Sequence, residues 1–235
     1  MTEQDQARRA FFGRRKGHPL RPRQAALMES LLPRLAVDLA GSPPAALAAL
    51  FSRVPDFAPD DIGLEIGFGG GEHLAAQAAA HRGMGFIGCE PFVNGMAKAL
   101  ALIEAQRLAN IRLHFGDASD LLAWLPAASL ARVDLLYPDP WPKRRHWKRR
   151  FVQDAHIAEL ARVLRPGGLF RFATDWPDYA AWTLERLMRA PRFAWTAERA
   201  ADWREPWPGF VRTRYEAKAI QAGRVPCYLA FRRVD

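Results

Sequence analysis

The stretch L-E-I-G-F-G-G-G at residues 64–71 decides the fold of this chain. It begins inside an apolar run at residues 62–66, the length of a buried strand, and a helical pattern follows over residues 72–81. The glycines allow the backbone to approach a ligand closely, and the start of the next helix offers unpaired N–H groups to an anionic moiety. The stretch predicts a strand, a nucleotide or cofactor loop and a helix. A glycine turn that serves only helix packing is the alternative.

Strands and helices alternate through the rest of the chain. Further strands are predicted over residues 84–89, 111–115, 133–137 and 169–173, near Trp195 and over 228–232, and helices over 93–108, 118–124, 150–163 and 179–188. This order predicts an α/β fold with a doubly wound, mostly parallel, seven-stranded Rossmann-like sheet. We expect residues 62–235 to form this sheet within a single domain over residues 24–235.

Two kinds of segment precede the predicted sheet. Residues 24–58 contain helical patterns over 24–39, with a break near Pro33, and over 43–54, and these predict accessory helices. Residues 1–23 mix cations, glycine and proline without a period. This composition predicts a basic arm that is mobile until it meets a partner.

The chain is basic, and its positive charge is clustered. Lys and Arg number 34 against 25 Asp and Glu, which gives a net charge of +9. Residues 1–25 carry an excess of positive charge, and residues 143–150 contain six cations and no acid. This distribution favours a nucleic acid or another anionic partner. A hydrophobic content of 49% argues against disorder over most of the length.

Cysteine content and hydropathy exclude several classes of protein. Cys89 and Cys227 are too few for a disulfide framework or a zinc site, so we expect a reducing cytoplasm and no bound metal. No apolar run approaches the roughly 18 residues of a membrane span, so no membrane partner is expected.

Acidic residues follow four of the predicted strands where each strand ends. They are Glu90, Asp117, Asp139 and Asp175. Ligands of open α/β sheets bind beyond the carboxyl ends of the strands, so these acids and the glycine loop are expected to converge. Glu90 follows the glycines by about 20 residues, the distance at which an acid meets a ribose diol. Asp117 is placed to accept from an adenine amine, to cap the next helix, or both.

The composition of the loop narrows the choice of cofactor. The dinucleotide fingerprint G-x-G-x-x-G fits Gly67 and Gly69 but requires glycine at the position of Glu72, whose charge disfavours a pyrophosphate. A dehydrogenase is therefore a distant alternative. S-adenosylmethionine carries an adenosine and a carboxylate but no phosphate, and it suits a site with several acids.

Residues 133–150 read V-D-L-L-Y-P-D-P-W-P-K-R-R-H-W-K-R-R. The prolines end the strand, so Asp139 lies on a stiff turn beyond it. Trp141, the next aromatic residue, either stacks on a base or anchors the turn. The cations that follow indicate chemistry on a polyanion, with a solvated charged face as the alternative.

These motifs resemble a known family. The glycine loop is similar to the class I methyltransferase pattern. P-D-P-W-P-K-R-R-H-W-K-R-R at 138–150, T-D-W-P-D-Y-A at 174–180 and T-R-Y-E at 213–216 resemble the bacterial tRNA (guanine-N7)-methyltransferase family. The resemblance covers roughly residues 62–233, and the basic F-G-R-R-K-G-H segment is similar to that family's N-terminal segment. One departure is the A-K-A-I-Q-A-G that follows Glu216.

The resemblance implies a methyltransferase sheet and a monomer or homodimer that methylates N7 of a guanine in the variable loop of tRNA. It implies that S-adenosylmethionine is bound by Glu65, Gly67, Gly69, Glu90, Asp117 and Asp139, with Asp139 also the catalytic acid. It implies that the target nucleotide is held by Lys143, Asp175, Thr213, Arg214, Tyr215 and Glu216. It also implies that RNA is contacted by Arg145, Lys148, Arg149 and Arg150.

Two other functions stay open on the sequence. An amino-group methyltransferase, acting on adenine N6 or guanine N2, carries an N-P-P-Y or D-P-P-Y turn, whereas this chain has D-P-W at Asp139. A tRNA-binding protein without a catalytic role is the second alternative, and the intact set of cofactor acids argues against it. A cofactor-binding titration separates the second alternative from an enzyme.

Overall fold

The chain forms one seven-stranded sheet in a computed structural model, which describes Gly13 and residues 15–235. The strands are β1 (Ile62–Ile66), β2 (Gly85–Cys89), β3 (Ile111–His114), β4 (Leu130–Leu136), β5 (Leu164–Thr174), β6 (Phe193–Trp195) and β7 (Cys227–Arg233). Their order across the sheet is β3-β2-β1-β4-β5-β7-β6. Strands β1 to β5 are parallel, and β7 is antiparallel to β5 and β6. The predicted seven-stranded, mostly parallel sheet is confirmed.

Helices connect the strands. They are α1 (Pro22–Ser30), α2 (Leu32–Leu35), α3 (Glu72–Ala80), α4 (Val93–Gln106), α5 (Ala118–Trp124), α6 (Asp154–Val163), α7 (Pro177–Arg189), α8 (Ala201–Arg204) and α9 (Arg214–Gln221), with 3-10 helices at Leu47–Phe51 and Arg144–Arg149. Across the part of the chain that the structure describes, none of these helices is long and apolar enough to cross a membrane.

The sheet has a hydrophobic core on each face. Helices α1, α3 and α4 bury residues such as Leu74 and Leu100 on one face. Helices α5, α6 and α7 bury Leu121, Leu160 and Leu187 on the other face. Each fully buried leucine stabilises the fold by about 1.5–3 kcal/mol. The two cores therefore make the sheet a rigid support for the loops at its edge.

The first accessory segment, over residues 24–39, forms two short helices, in agreement with the break predicted near Pro33. Helix α1 ends at Ser30, and Pro33 lies in the first turn of α2, where its missing N–H has little cost. Beyond α2 the chain is extended, and the Val37 N–H donates to the Leu113 carbonyl of β3 at 2.9 Å. The prediction is therefore right for the two helices and wrong for the end of the segment, which pairs with the sheet.

Two other predicted helices are shorter than expected. Within residues 43–54 only a 3-10 helix forms, and it buries Leu47 and Phe51. Helix α6 begins at Asp154, although the pattern predicted a helix from residue 150. The reason is that the Arg150 backbone is extended, with ψ 138°, and its side chain is fixed in a buried site described below.

The end of the basic arm is bonded to the sheet domain. The Arg15 carbonyl accepts from the Val93 N–H at 3.0 Å. The Asn94 side chain accepts from the Gly17 N–H at 2.8 Å and donates to the His18 carbonyl at 2.7 Å. These bonds join the segment to the first turn of α4, and Pro22 and Arg23 belong to α1. The mobility of the arm stays a prediction, and residues 1–12 and 14 lie outside the described residues.

Candidate active site

The predicted acids lie along one edge of the sheet. Because β1 to β5 are parallel and ordered β3-β2-β1-β4-β5, the segments after their carboxyl ends lie side by side. In that order they carry Asp117, Glu90, the glycine loop, Asp139 and Asp175. This is the edge at which open α/β sheets bind their ligands.

The glycine loop adopts a conformation that requires glycine. Gly67, Gly69 and Gly71 have φ angles of +69°, +59° and +80°, in the left-handed region. A Cβ on Gly71 would lie 2.6 Å from the Cβ of Ala99, so this glycine lets α3 pack closely against α4. A Cβ on Gly67 would meet open space, and the loop therefore leaves room for a ligand above its first glycine.

Glu90 is fixed against this loop. One carboxylate oxygen accepts from the Gly69 N–H at 2.6 Å, and the other accepts from the Phe92 N–H at 3.0 Å. Burial raises the pKa of Glu90, and the nearby Asp139 carboxylate raises it further. The two N–H groups and Arg214 lower the pKa but do not reverse the rise. Glu90 is thus held in one orientation, and Arg214 and Asp139 are close enough to affect its charge.

Asp139 lies on the turn between β4 and the basic segment. Tyr137 and Trp141, on either side of it, have φ angles of +51° and +44°, which are uncommon for residues other than glycine. Asp139 is exposed at the surface of the turn, and partial desolvation there raises its pKa above the ordinary value for aspartate. Trp141 is half-buried and lies 4.9 Å from the Arg149 guanidinium.

Asp117 caps the helix that follows it, which is one of the two roles predicted for it. Its carboxylate accepts from the Ser119 N–H at 2.8 Å. His156, which the sequence did not single out, supports this loop: its Nδ1–H donates to the Phe151 carbonyl at 2.6 Å, so its Nε2 accepts from the Ser119 hydroxyl at 3.0 Å. Burial lowers the pKa of His156, which favours this neutral form.

The T-R-Y-E segment reaches the glycine loop. A Cβ on Gly69 would lie 3.1 Å from the Tyr215 ring and 3.8 Å from the Arg214 guanidinium. Thr213 caps α9 by accepting from the Glu216 N–H at 3.2 Å. The residues expected to hold the substrate are therefore adjacent to those expected to hold the cofactor.

Glu216 points inward from this segment. Its side chain is 1% exposed, and Oε1 accepts from the Tyr228 hydroxyl at 2.7 Å. Its other oxygen is buried without a hydrogen-bond partner among the described residues. Asp175 lies after β5 and forms an ion pair with Arg224, a residue that the sequence did not single out. Lys143 is exposed at the start of the basic segment.

Glu65 belongs to a buried ionic cluster that the sequence did not reveal. We define this cluster as Glu65, His73, Arg132, Asp134 and Arg171. Glu65 accepts from His73 Nδ1 at 2.8 Å. The Asp134 carboxylate lies 2.7 Å from Arg171 and 2.9 Å from Arg132. The cluster forms because Glu65 pairs with Asp134 across β1 and β4, and Asp134 pairs with Arg171 across β4 and β5.

Burial and charge have opposite effects within the cluster. Burial raises the pKa of Glu65, and the partly opposing effect of His73 does not reverse this. Burial alone would lower the pKa of His73, but the Glu65 carboxylate raises it. Burial alone would raise the pKa of Asp134, but Arg171 and Arg132 hold it below its ordinary value. Asp134 is therefore ionised at neutral pH and binds both arginines.

Residues 205–212 cover the ionic cluster. The Arg171 guanidinium lies 4.7 Å from the centre of the Trp207 ring, and the Phe210 ring lies 5.5 Å from the His73 ring. The Gln77 side chain donates to the Gly209 carbonyl at 2.7 Å. Because this loop leads directly into T-R-Y-E, the cluster joins the cofactor strand to the segment expected to hold the substrate. In the structure Glu65 lies beneath the loop, so its predicted contact with the cofactor stays a proposal.

The basic segment forms a 3-10 helix with unequal exposure. Lys143, Arg144, Arg145 and Lys148 are exposed, and Arg149 is half-buried. Arg150 is buried, which contradicts the prediction that it contacts RNA. A guanidinium enclosed by protein does not reach a phosphate.

A separate groove of about 690 Å³ lies between α6, α7 and the start of β6, with Ala158, Ala161 and Phe193 in its lining. The groove lies at the amino-terminal edge of the parallel strands, and none of the predicted site residues lines it. Within the described chain, no group of three or more His, Cys, Asp or Glu side chains is placed to hold a metal ion.

Comparison with known proteins gives the class first. The family described as "Putative methyltransferase" matches residues 60–228. The solved structure of the 16S rRNA methyltransferase KamB has a TM-score of 0.59 at 16% identity and covers 83% of this chain and 96% of its own. A methyltransferase structure from Thermoplasma acidophilum has a TM-score of 0.51 at 18% identity, over 76% of this chain and 70% of its own. The chain belongs to the methyltransferase family and has its Rossmann-like fold.

Sequence relatives give the particular family. A tRNA (guanine-N(7)-)-methyltransferase of Nitrobacter hamburgensis is 63% identical over 95% of this chain and 86% of its own. A protein of the same name from Bradyrhizobium diazoefficiens is 61% identical over 98% of this chain and 96% of its own. The chain is a member of the tRNA (guanine-N(7)-)-methyltransferase family, and the resemblance seen in its motifs is confirmed.

Proposed function

We propose that this chain transfers a methyl group from S-adenosylmethionine to N7 of a guanine in the variable loop of tRNA. The observation that carries this proposal is the meeting of three parts at one sheet edge. The glycine loop with Glu90 suits an adenosyl cofactor, Asp139 lies on the adjacent turn, and Arg214 and Tyr215 contact the loop from the T-R-Y-E segment.

The chemistry of the site fits the proposed methyl donor. The space above Gly67 admits a ligand, and Glu90 is an acceptor fixed where a ribose diol is expected. We assign the adenine amine to Asp117 and the methionine part to the loop, with Glu65 and Asp139 near it. When bound, S-adenosylmethionine supplies an electrophilic methyl group on a sulfonium centre.

The proposed reaction requires positioning more than proton transfer. Guanine N7 has an in-plane lone pair and loses no proton on methylation, so no strong general base is needed. Holding N7 in line with the methyl group can supply up to roughly 7–11 kcal/mol of the barrier. The Asp139 carboxylate is placed to stabilise the positive charge that develops on the purine.

Two further acids are assigned to the nucleotide pocket. Glu216 is enclosed, so we assign it a supporting role at the wall of the pocket, where its carboxylate accepts from the Tyr228 hydroxyl. Asp175 lies on the neighbouring strand end and is held by Arg224. We assign Lys143 and Thr213 to the same nucleotide pocket, at its entrance and base respectively.

Replacing Glu90 with glutamine tests the cofactor assignment. We expect Glu90→Gln to weaken S-adenosylmethionine binding roughly 10- to 100-fold, because hydrogen bonds to a charged group are worth about 1.5–3 kcal/mol each. Calorimetric titration measures the Kd. Glu104→Gln is the matched control, since Glu104 is an exposed acid of α4 paired with Arg23. An unchanged Kd for Glu90→Gln would remove Glu90 from the cofactor site.

The exposed cations are assigned to RNA phosphates. Each phosphate contact contributes about −0.7 to −0.9 to the slope of log K against log salt. We expect Arg145→Gln with Lys148→Gln to flatten the slope for tRNA binding by roughly one to two units. Arg165→Gln is the control, because Arg165 is paired with Asp61 at the amino-terminal edge of the sheet. Equal slopes in wild type and double variant would make the segment a solvated face.

The base specificity has its own test. Unmodified tRNA and methyl-labelled S-adenosylmethionine are incubated with the protein, beside a tRNA in which adenine replaces the variable-loop guanine. We expect label only in the first tRNA. Equal labelling of both would contradict the proposed target.

The partner and setting of the reaction are also proposals. The proposed partner is tRNA, and the proposed active form is a monomer or homodimer, which light scattering after size-exclusion chromatography decides. Cys89 and Cys227 are free thiols, as a reducing cytoplasm allows.

A further inference from the structure

The last cation of the basic segment differs from its neighbours. Arg150 is 1% exposed, whereas Arg144, Arg145 and Lys148 are exposed. A buried guanidinium is unfavourable unless its charge and N–H groups find partners. The partners of Arg150 therefore indicate what it does.

Arg150 binds two backbone carbonyls from different elements. Its Nε–H donates to the Pro140 carbonyl at 2.8 Å, and Nη1 donates to the Asp178 carbonyl at 3.3 Å. Pro140 is the residue directly after Asp139, and Asp178 lies in the first turn of α7. One side chain thus ties the turn that carries Asp139 to a helix packed on the sheet.

Three aromatic rings surround the same guanidinium. Its central carbon lies 4.8 Å from the Trp147 ring, 4.9 Å from the Tyr179 ring and 5.1 Å from the Trp182 ring. The rings supply cation–π attraction and stack on a planar group. A lysine ammonium has neither the plane nor the fork of N–H groups, so it does not reproduce these contacts.

The turn held by Arg150 is not one that the chain adopts freely. Tyr137 and Trp141 have left-handed φ angles, and such residues persist only where the surrounding contacts fix them. The Pro140 carbonyl lies between these two residues, so the bond from Arg150 acts within the strained turn.

We propose that Arg150 is a positioning residue, which holds the turn carrying Asp139 at the cofactor edge and makes no contact with RNA. This inference rests on the proposed function. It separates the basic segment into exposed cations for RNA and one buried cation for the turn.

Two substitutions of Arg150 and one control test the inference. Arg150→Lys keeps the charge, Arg150→Met removes it, and Arg145→Met removes an exposed charge of the same 3-10 helix. The measurements are kcat with unmodified tRNA at saturation, KM for S-adenosylmethionine, and the salt slope of tRNA binding. Circular dichroism at the assay temperature verifies the fold of each variant.

We expect both Arg150 variants to lose kcat by roughly 10- to 100-fold, because small displacements of catalytic groups have effects of that size. Their salt slopes should equal that of wild type, whereas Arg145→Met should flatten the slope by about 0.7–0.9. A wild-type kcat for Arg150→Lys, or a slope change in Arg150→Met equal to that of Arg145→Met, would overturn the inference.

A second site keeps the test decisive where the Arg150 variants do not fold. Trp182→Leu removes one ring of the enclosure and carries no charge that RNA could contact. We expect it to lower kcat with an unchanged salt slope, and a wild-type kcat would overturn the inference. Inactivity of the wild-type protein itself would instead contradict the proposed function.

Discussion

Asp139→Ala is expected to lower kcat by about 10²- to 10³-fold, the usual effect of removing a group that stabilises charge in the transition state. The affinity for tRNA should change far less, because the exposed cations that bind phosphates are untouched. Single-turnover methyl transfer gives the rate, and filter binding of tRNA gives the Kd. Asp154→Ala is the control, since Asp154 is an acid of α6 with a side chain 92% exposed.

The outcome for Asp139 distinguishes catalysis from binding. A large loss of kcat with a retained Kd supports the catalytic assignment. Equal losses of turnover and tRNA affinity would make Asp139 a binding or structural residue instead.

The pH dependence of turnover supplies a second result for the same side chain. Partial desolvation on the turn raises the pKa of Asp139, so the carboxylate becomes protonated at a higher pH than an ordinary aspartate. Activity should therefore fall as the pH drops through this raised pKa, and Asp139→Asn should lack that acidic limb in its residual activity. An identical limb in wild type and variant would assign the titration to another group.

Asp134→Ala is expected to lower the free energy of unfolding by about 3–5 kcal/mol, because it leaves the buried Arg171 and the half-buried Arg132 without their counter-charge. Asp134 is 2% exposed and is the shared partner of Arg132 and Arg171. Urea unfolding at neutral pH measures the change. Asp61→Ala, which breaks an exposed pair with Arg165, is the control and should cost about 0–1 kcal/mol.

The contribution of Asp134 also depends on pH. Because its folded-state pKa is depressed, the stabilisation is fully present above the unfolded pKa of about 3.9 and is lost as the pH falls through the lower, folded-state value. A destabilisation by Asp134→Ala no larger than that of Asp61→Ala would show that the cluster does not support the fold.

The sequence predicted the sheet and its ligand edge because both depend on local patterns. Alternation of apolar runs with helical periods gave the strands and crossover helices. Parallel strands then place the residues after them, such as Glu90 and Asp139, at one edge, whatever the details of packing. The motif at 213–216 was assigned to the substrate, and the structure brings Arg214 and Tyr215 to the glycine loop.

The ionic cluster could not be predicted from such patterns. Arg132 and Asp134 alternate with apolar residues in β4, which is also the pattern of a strand with one solvated face. Their partner Arg171 is on another strand, and the register that pairs it with Asp134 is a tertiary feature. The only signal was a set of charges in strands that lie at the centre of the sheet.

Arg150 was misassigned for a related reason. In the sequence it is the last of six cations and looks like the others. Only the turn after β4 brings it beneath Pro140 and among the rings of Trp147, Tyr179 and Trp182. Exposure within a charged run depends on the path of the backbone, which composition does not specify.

Mapping the methylated atom tests the central claim most directly. Unmodified tRNA is incubated with the protein and methyl-labelled S-adenosylmethionine, then treated with borohydride and aniline, which cleave the strand at 7-methylguanosine. We predict cleavage at a single guanine in the variable loop. Incorporated label without cleavage would contradict N7 chemistry and point to an amino-group methyltransferase, and tight tRNA binding without label would point to a binding protein.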